Sequence, residues 1–219
     1  MVKLTFLFGL GAAALFASSF QNGGFESPLL KSSPDFVTVP TGWTKVDPTC
    51  PSCFALFMEF YGTFGLPTIG AEGTQAYGFG GNGGTTGSLS QTFDTVAGAN
   101  YEVSFQYVIQ QGPEFEDLQA DVLDGINTLA TKAIRFNNAA WVTTTLDFTA
   151  ASASTTLRFS DTTGAVDPGT GSGTNWALDA VSVSQLGGGG GAVPEPSTWV
   201  LAGLGTLAVG GLRRFKARP

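Results

Sequence analysis

Three groups of residues in this sequence carry side chains suited to chemistry. Cys50 and Cys53, the only cysteines, form the run Cys50-Pro51-Ser52-Cys53. A C-x-x-C pair serves as a redox centre where it opens a helix in a βαβ setting, and no such pattern surrounds this one. In an exported chain the pair reads as a local disulfide that stiffens one loop, worth roughly 2 kcal/mol through chain entropy. Glu114, Glu116, Asp117, Asp121 and Asp124 make the densest acidic run. Two carboxylates about 5–10 Å apart can hydrolyse a glycoside, whereas a solvated acidic loop is the commoner arrangement. The third group is aromatic: Phe54, Phe57, Phe60, Tyr61 and Phe64 around Met58 and Glu59. Exposed rings stack on the CH-rich faces of sugars, and buried ones fill a core. Trp43 and Trp141 are expected inside, while Trp176, beside a Gly-rich loop, joins Tyr61 and Phe57 as a sugar-stacking candidate.

The sequence has no histidine. Ser-His-Asp and Cys-His catalysis, His-ligated zinc and haem attachment are therefore excluded together. One further carboxylate stands out. Along Ala177 to Val183, Asp179 shares parity with Val181 and Val183, which points it to the apolar side of a strand. A carboxylate there needs a partner, because an unpaired buried charge costs several kcal/mol.

The elements that must position these groups are strands. In Tyr101-Glu102-Val103-Ser104-Phe105-Gln106-Tyr107 every odd position is large and apolar and every even one polar. Val142, Leu146 and Phe148 alternate with Thr143, Thr145 and Asp147, and Leu157 and Phe159 flank Arg158. These are strands with one buried face. Asp124-Gly125, between Leu118–Leu123 and Ile126–Ile134, is a two-residue hairpin signal. Gly (31) and Phe (18) are abundant while charge is scarce at 12%, and no central segment has a helical period. About ten short strands predict an all-β fold, an antiparallel β-sandwich over residues 20–186.

Charge is partitioned along the 219 residues. From Phe20 to Val193 there are 16 Asp/Glu against 5 Lys/Arg, a net −11. Such an acidic body argues against nucleic acid, which needs clustered Lys/Arg. The other basic residues flank apolar segments at the two ends, as in a chain that inserts into a membrane. Lys3 followed by the 13 apolar residues Leu4–Phe16 and the small residues Ala17-Ser18-Ser19 reads as a signal peptide over 1–19. At the other end, after the Gly-rich linker 187–193, the apolar run Thr198 to Leu212 is a candidate single transmembrane helix. Its 15 residues reach roughly 22 Å as a helix, short of a ~30 Å hydrocarbon core. That length suits a transient stop more than a permanent anchor.

Val193-Pro194-Glu195-Pro196-Ser197-Thr198-Trp199, then a Gly/Leu/Ala helix, then Arg213-Arg214-Phe215-Lys216-Ala217-Arg218 closely resembles the PEP-CTERM sorting signal. The resemblance implies a sorting tail over 194–219, handled by an exosortase in the inner membrane of a Gram-negative, often exopolysaccharide-producing bacterium. Asn22-Gly23-Gly24-Phe25-Glu26, Thr41-Gly42-Trp43, Gly87 to Phe93, Ala97 to Phe105 and Asn175 to Val183 follow in an order similar to the galactose-binding-like jelly rolls of carbohydrate-binding modules. Those modules often hold a structural calcium between a Glu near the first strand and an Asp in the last. Glu26 and Asp179 match these positions, with backbone carbonyls near Asn22 to complete the shell. Ala180 departs from the pattern, which often has a second acidic residue or Asn there.

The expected role is a non-enzymatic, exported protein of the cell surface or extracellular matrix, associated with exopolysaccharide. A lectin-like glycan binder and a small secreted glycoside hydrolase are the alternatives. An exposed row of aromatics would favour the first alternative, and a cleft with two facing carboxylates the second.

Overall fold

The computed structural model describes residues 19–31, 38–46, 54–58, 71–80, 87–111, 115–163 and 175–187. The stretch 1–18 of the expected signal peptide, Cys50, Cys53, Tyr61 and the whole tail from Val193 to Pro219 lie outside these residues. Among the described residues no helix is long and apolar enough to cross a membrane. The chain divides into two compact units, Met1–Leu186 and Gly187–Pro219.

The first unit contains ten described strands: β1 (Thr44–Val46), β2 (Phe54–Met58), β3 (Gln75–Gly80), β4 (Ser88–Asp94), β5 (Asn100–Gln111), β6 (Glu116–Asp124), β7 (Asn127–Phe136), β8 (Val142–Thr149), β9 (Ser154–Asp161) and β10 (Asn175–Leu186). They form two five-stranded antiparallel sheets, ordered β1-β4-β9-β6-β7 and β2-β3-β10-β5-β8. The pairs β6–β7, β5–β8, β4–β9 and β3–β10 are nested around one hairpin. Consecutive strands from β3 onward switch sheets except at that hairpin, so one long antiparallel ribbon is rolled into a sandwich. This is the antiparallel sandwich expected from the strand pattern, in the jelly-roll order implied by the resemblance to carbohydrate-binding modules.

Alternation places the core. On β9, Leu157 and Phe159 point inward while Arg158 points outward, and on β4 Leu89 and Phe93 do the same around Ser90 and Thr92. They meet Tyr77 and Phe79 from β3, Val103 and Phe105 from β5, and Leu178 from β10 in a single cluster. Each large apolar side chain buried this way is worth about 1.5–3 kcal/mol over leaving it in water. Sandwich cores of this kind need inner faces from both sheets, and both contribute here.

The hairpin sits one residue later than the sequence signal. Asp124 pairs with Asn127, so Gly125 and Ile126 are the turn residues. Gly125 has φ +59, which a turn with glycine first requires. Ile126 consequently stands at the tip, 98% exposed, and is no part of β7.

Candidate functional site

Loop 22–26, loop 71–74 and strand β10 bring Glu26, Glu72 and Asp179 together. Asp179 pairs with Gln106 and Ser182 with Ser104, so Ala180 and Val181 together oppose Phe105. Ala180 has φ 50, a left-handed conformation that lets the strand take up the extra residue. Trp176 and Leu178 before this bulge and Val181 after it belong to the core. Asp179 therefore lies on the outer face of its sheet, and the parity argument for an inward carboxylate is corrected by the bulge. It is nevertheless 0% exposed, as Ala76, Ala177 and Val108 on the same face nearly are.

The buried carboxylate has partners. Its Oδ2 accepts the Glu72 N–H at 2.9 Å, and its Oδ1 accepts the Ala180 N–H at 2.7 Å. Burial raises its pKa to about 7 against the pull of these two bonds, and the charges of Glu72 and Glu26 add to the rise. Glu26 clamps the same loop from the other side. Its Oε1 accepts the N–H groups of Thr74 and Gln75, each at 2.7 Å, and its Oε2 accepts the Thr74 hydroxyl at 2.9 Å. Gly73 makes this approach possible: at φ +63, a Cβ there would lie 2.3 Å from Glu26 Oε1. Asn22 staples its own loop, accepting the Ser27 N–H and donating to the Ser27 and Thr41 carbonyls. The Asn22 carbonyl accepts from Trp43 Nε1 and the Gly23 carbonyl from the Val181 N–H, tying the opening loop to the last strand.

The donors of this cluster are oxygens and its carboxylates repel one another, which suits a hard cation such as Ca²⁺ in chemical kind. Among the described residues no three His, Cys, Asp or Glu side chains converge as a ligand set. Hydrogen bonds to backbone N–H groups make the clamp in the protein alone.

The acidic run is a strand, not a solvated loop. Leu118, Ala120 and Val122 of β6 face the core, and Asp117 and Asp121 face outward yet are buried. Glu116, also buried, accepts the Thr163 hydroxyl at 2.5 Å, and Asp124 accepts the Ser152 hydroxyl at 2.7 Å. Asp161, at the end of β9, accepts the Thr163 N–H at 3.0 Å; burial pushes its pKa up. Glu114 lies outside the described residues.

A straight cross-strand row runs over the outer face of this sheet: Thr44, Ser90, Arg158, Asp121 and Thr131. Arg158 stands on β9, the central strand, and its Nη2 donates to Asp121 Oδ2 at 2.7 Å. Burial raises Asp121, but bonds from Arg158, Gln119 and Thr131 and the guanidinium charge outweigh it, leaving the carboxyl below its ordinary range. Arg135 reaches Asp117 at 3.5 Å and leans on the Phe115 ring at 5.2 Å. Sequence reading saw Arg158 only as the polar member of an alternating strand; its partner on β6 depends on a pairing that no local pattern reveals.

Trp176 is not a surface aromatic. It is the second residue of β10 and faces inward, 0% exposed, stacked on Phe79 at 4.1 Å and 3° and edge-on to Phe136 at 5.9 Å. Its indole N–H is buried without a hydrogen-bond partner among the described residues. Trp43 is buried as expected, and Trp141 is half-buried. Phe57 belongs to β2, opposite Ala76; its side chain, like Tyr61, is outside what is described.

The fold resembles two kinds of solved structure. The Stig cyclase Fisc from Fischerella sp. TAU is 15% identical with TM-score 0.60, over 77% of this chain and 96% of that one. TmCBM61, solved in complex with β-1,4-galactotriose, is 14% identical with TM-score 0.53, over 77% of this chain and 98% of that one. These likenesses are of fold. No curated protein matches the chain by sequence. The PEP-CTERM protein-sorting motif matches residues 192–214, so the chain is exported as a membrane-anchored precursor recognised by exosortase-type machinery in a Gram-negative bacterium. Residues 18–184 match the family described as protein of unknown function, DUF642, and the chain is a member of that family.

Proposed function

We propose that the mature protein is a non-enzymatic component of the cell surface or extracellular matrix that associates with exopolysaccharide. The observation that carries this reading is the outer face of the β1-β4-β9-β6-β7 sheet. It is lined by serine and threonine hydroxyls, an amide and the ion-paired arginines Arg158 and Arg135, groups that exchange hydrogen bonds with sugar hydroxyls. The fold shared with TmCBM61 agrees with that use. A hydrolase would need two carboxylates facing an open cleft. Glu116, Asp117, Asp121 and Asp161 are all buried, and protein donors hold each of them. Ca²⁺ at the Glu26–Asp179 cluster would act structurally, joining the opening loop to the last strand.

Affinity electrophoresis of the full chain through gels containing the host's own exopolysaccharide tests this reading. Retarded migration, with no release of reducing ends, is expected. Unchanged mobility would overturn the association, and release of reducing ends would replace it with hydrolysis.

A further inference from the structure

We infer that the outer face of the β1-β4-β9-β6-β7 sheet recognises a carboxylate-bearing sugar residue, with Arg158 as the group that binds the carboxylate. This rests on the glycan-associating role proposed above and specifies its ligand chemistry.

Arg158 is placed as an anchor. It sits mid-strand on the central strand of five, and its side chain remains 42% exposed. Its direct cross-strand neighbours are Ser90 and Asp121, and Thr156 and Ser160 flank it along β9. All but Asp121 are short hydroxyl side chains, so the guanidinium stands above them. Asp121 holds it from beneath, being itself almost fully buried and fixed by Gln119 and Thr131. A guanidinium has five N–H donors in a planar fork. Among the described residues Arg158 gives only one of them, to Asp121. Its Nε–H is buried without a hydrogen-bond partner among the described residues, so the N–H donors left for a ligand are those of the terminal Nη groups, on a side chain 42% exposed.

That arrangement selects its ligand. A planar fork with free N–H pairs matches a planar carboxylate bidentately, which a neutral hydroxyl cannot do. The surrounding serines and threonines suit the ring hydroxyls of the same sugar. No aromatic side chain lies in the cross-strand row of Arg158, so the row discriminates by hydrogen bonds and charge and not by stacking. The body as a whole is acidic, and a densely charged polyanion would be repelled. At physiological salt that repulsion decays over about 8 Å, whereas the contact at Arg158 is local. The fitting ligand is thus a chain with isolated uronic acids among neutral sugars.

Gellan oligosaccharides have this chemistry, and their carboxyl-reduced forms have the same linkages without charge. Titration calorimetry of the full-length chain in mild detergent would compare the two. The expected result is about tenfold tighter binding of the carboxylated form, the size of one charge-assisted contact. Arg158→Gln should abolish that preference and keep the weaker neutral binding. Because Asp121 loses its partner in that variant, Ser90→Glu provides a second arm. It places a carboxylate beside Arg158 on the exposed face without removing any buried group, and should also abolish the preference. Equal affinity for both forms in the unaltered protein would overturn this inference and leave the glycan association standing. A preference that persists in both variants would overturn it too. Failure to bind either form, together with unretarded migration in host exopolysaccharide, would overturn both readings.

Discussion

The carboxylate of Asp179 accepts the backbone N–H of Glu72 at 2.9 Å, across 107 positions of sequence. The bond joins the last strand to the loop before β3, and the Glu26 carboxylate holds the next residues of that loop. The acids that clamp this loop, Glu26 and Asp179, are therefore also the two named as candidate cation ligands.

Their titration gives the first prediction. Burial, with the charges of Glu72 and Glu26, raises Asp179 from 3.8 to about 7 in the folded protein. The native state thus binds more protons than the unfolded chain between these values, and stability falls as pH rises through the window. The full loss by neutral pH is on the order of 4 kcal/mol. Urea unfolding of the full chain in chelator should show its midpoint dropping from about pH 4 to about pH 7. Asp179→Asn should flatten this slope, at some cost at low pH because an amide oxygen can satisfy only one of the two N–H donors. A slope that survives the substitution would locate the titration elsewhere, with Asp161 the next group to test.

Calcium bound at the Glu26–Asp179 cluster would reverse that sign. A bound divalent cation requires the ionised carboxylate, so it lowers the folded pKa of Asp179 and removes the penalty of ionising it. Melts in calcium and in chelator should separate near neutral pH and converge toward pH 5, where protons compete. Binding to the native state alone adds about 2.7 kcal/mol at a hundredfold excess over Kd. Asp179→Ala should abolish the separation while leaving a folded, less stable domain. Superimposable melts near neutral pH would leave the cluster as a purely hydrogen-bonded clamp.

Local pattern made the sheets legible and left the site obscure. Tyr101 to Tyr107 alternates without interruption, and its odd positions do face the core. The same rule misplaced Asp179, because a bulge at a non-glycine residue, Ala180, shifts the parity and leaves no mark in the sequence. Trp176 was misread because its Gly-rich neighbourhood suggested a surface, whereas β10 begins one residue before it. Asp117 and Asp121 of β6 alternate with Leu118, Ala120 and Val122, a strand pattern masked by the density of charge. The partner of buried Asp121 is an arginine 37 positions away, on a strand whose pairing is set only when the ribbon rolls up.

Trp176 supplies the third prediction, which separates core from ligand surface. It stacks on Phe79 and meets Phe136 edge-on, so truncation leaves a large cavity between the sheets. Trp176→Ala should cost about 3–5 kcal/mol in urea unfolding, and Trp176→Phe clearly less. Under conditions where Trp176→Phe remains folded, its affinity for exopolysaccharide should equal that of the unaltered chain. Loss of glycan binding with unchanged stability would return Trp176 to the surface role first expected of it.

The last prediction concerns the tail. The sorting motif matches residues 192–214, and Arg213, Arg214, Lys216 and Arg218 follow the apolar run Thr198 to Leu212. Clustered positive charge stays on the cytoplasmic side of a membrane, so the basic residues should halt export and hold Pro194-Glu195-Pro196 at the outer interface. In the native host, intact mass of the mature protein should end near Pro194-Glu195-Pro196. Exchanging the four basic residues for serine removes the stop, and the chain should then pass into the medium unprocessed. Mature chains that still end at Pro219 would overturn tail removal. Normal processing of the serine variant would show instead that the motif is read without help from the charge cluster.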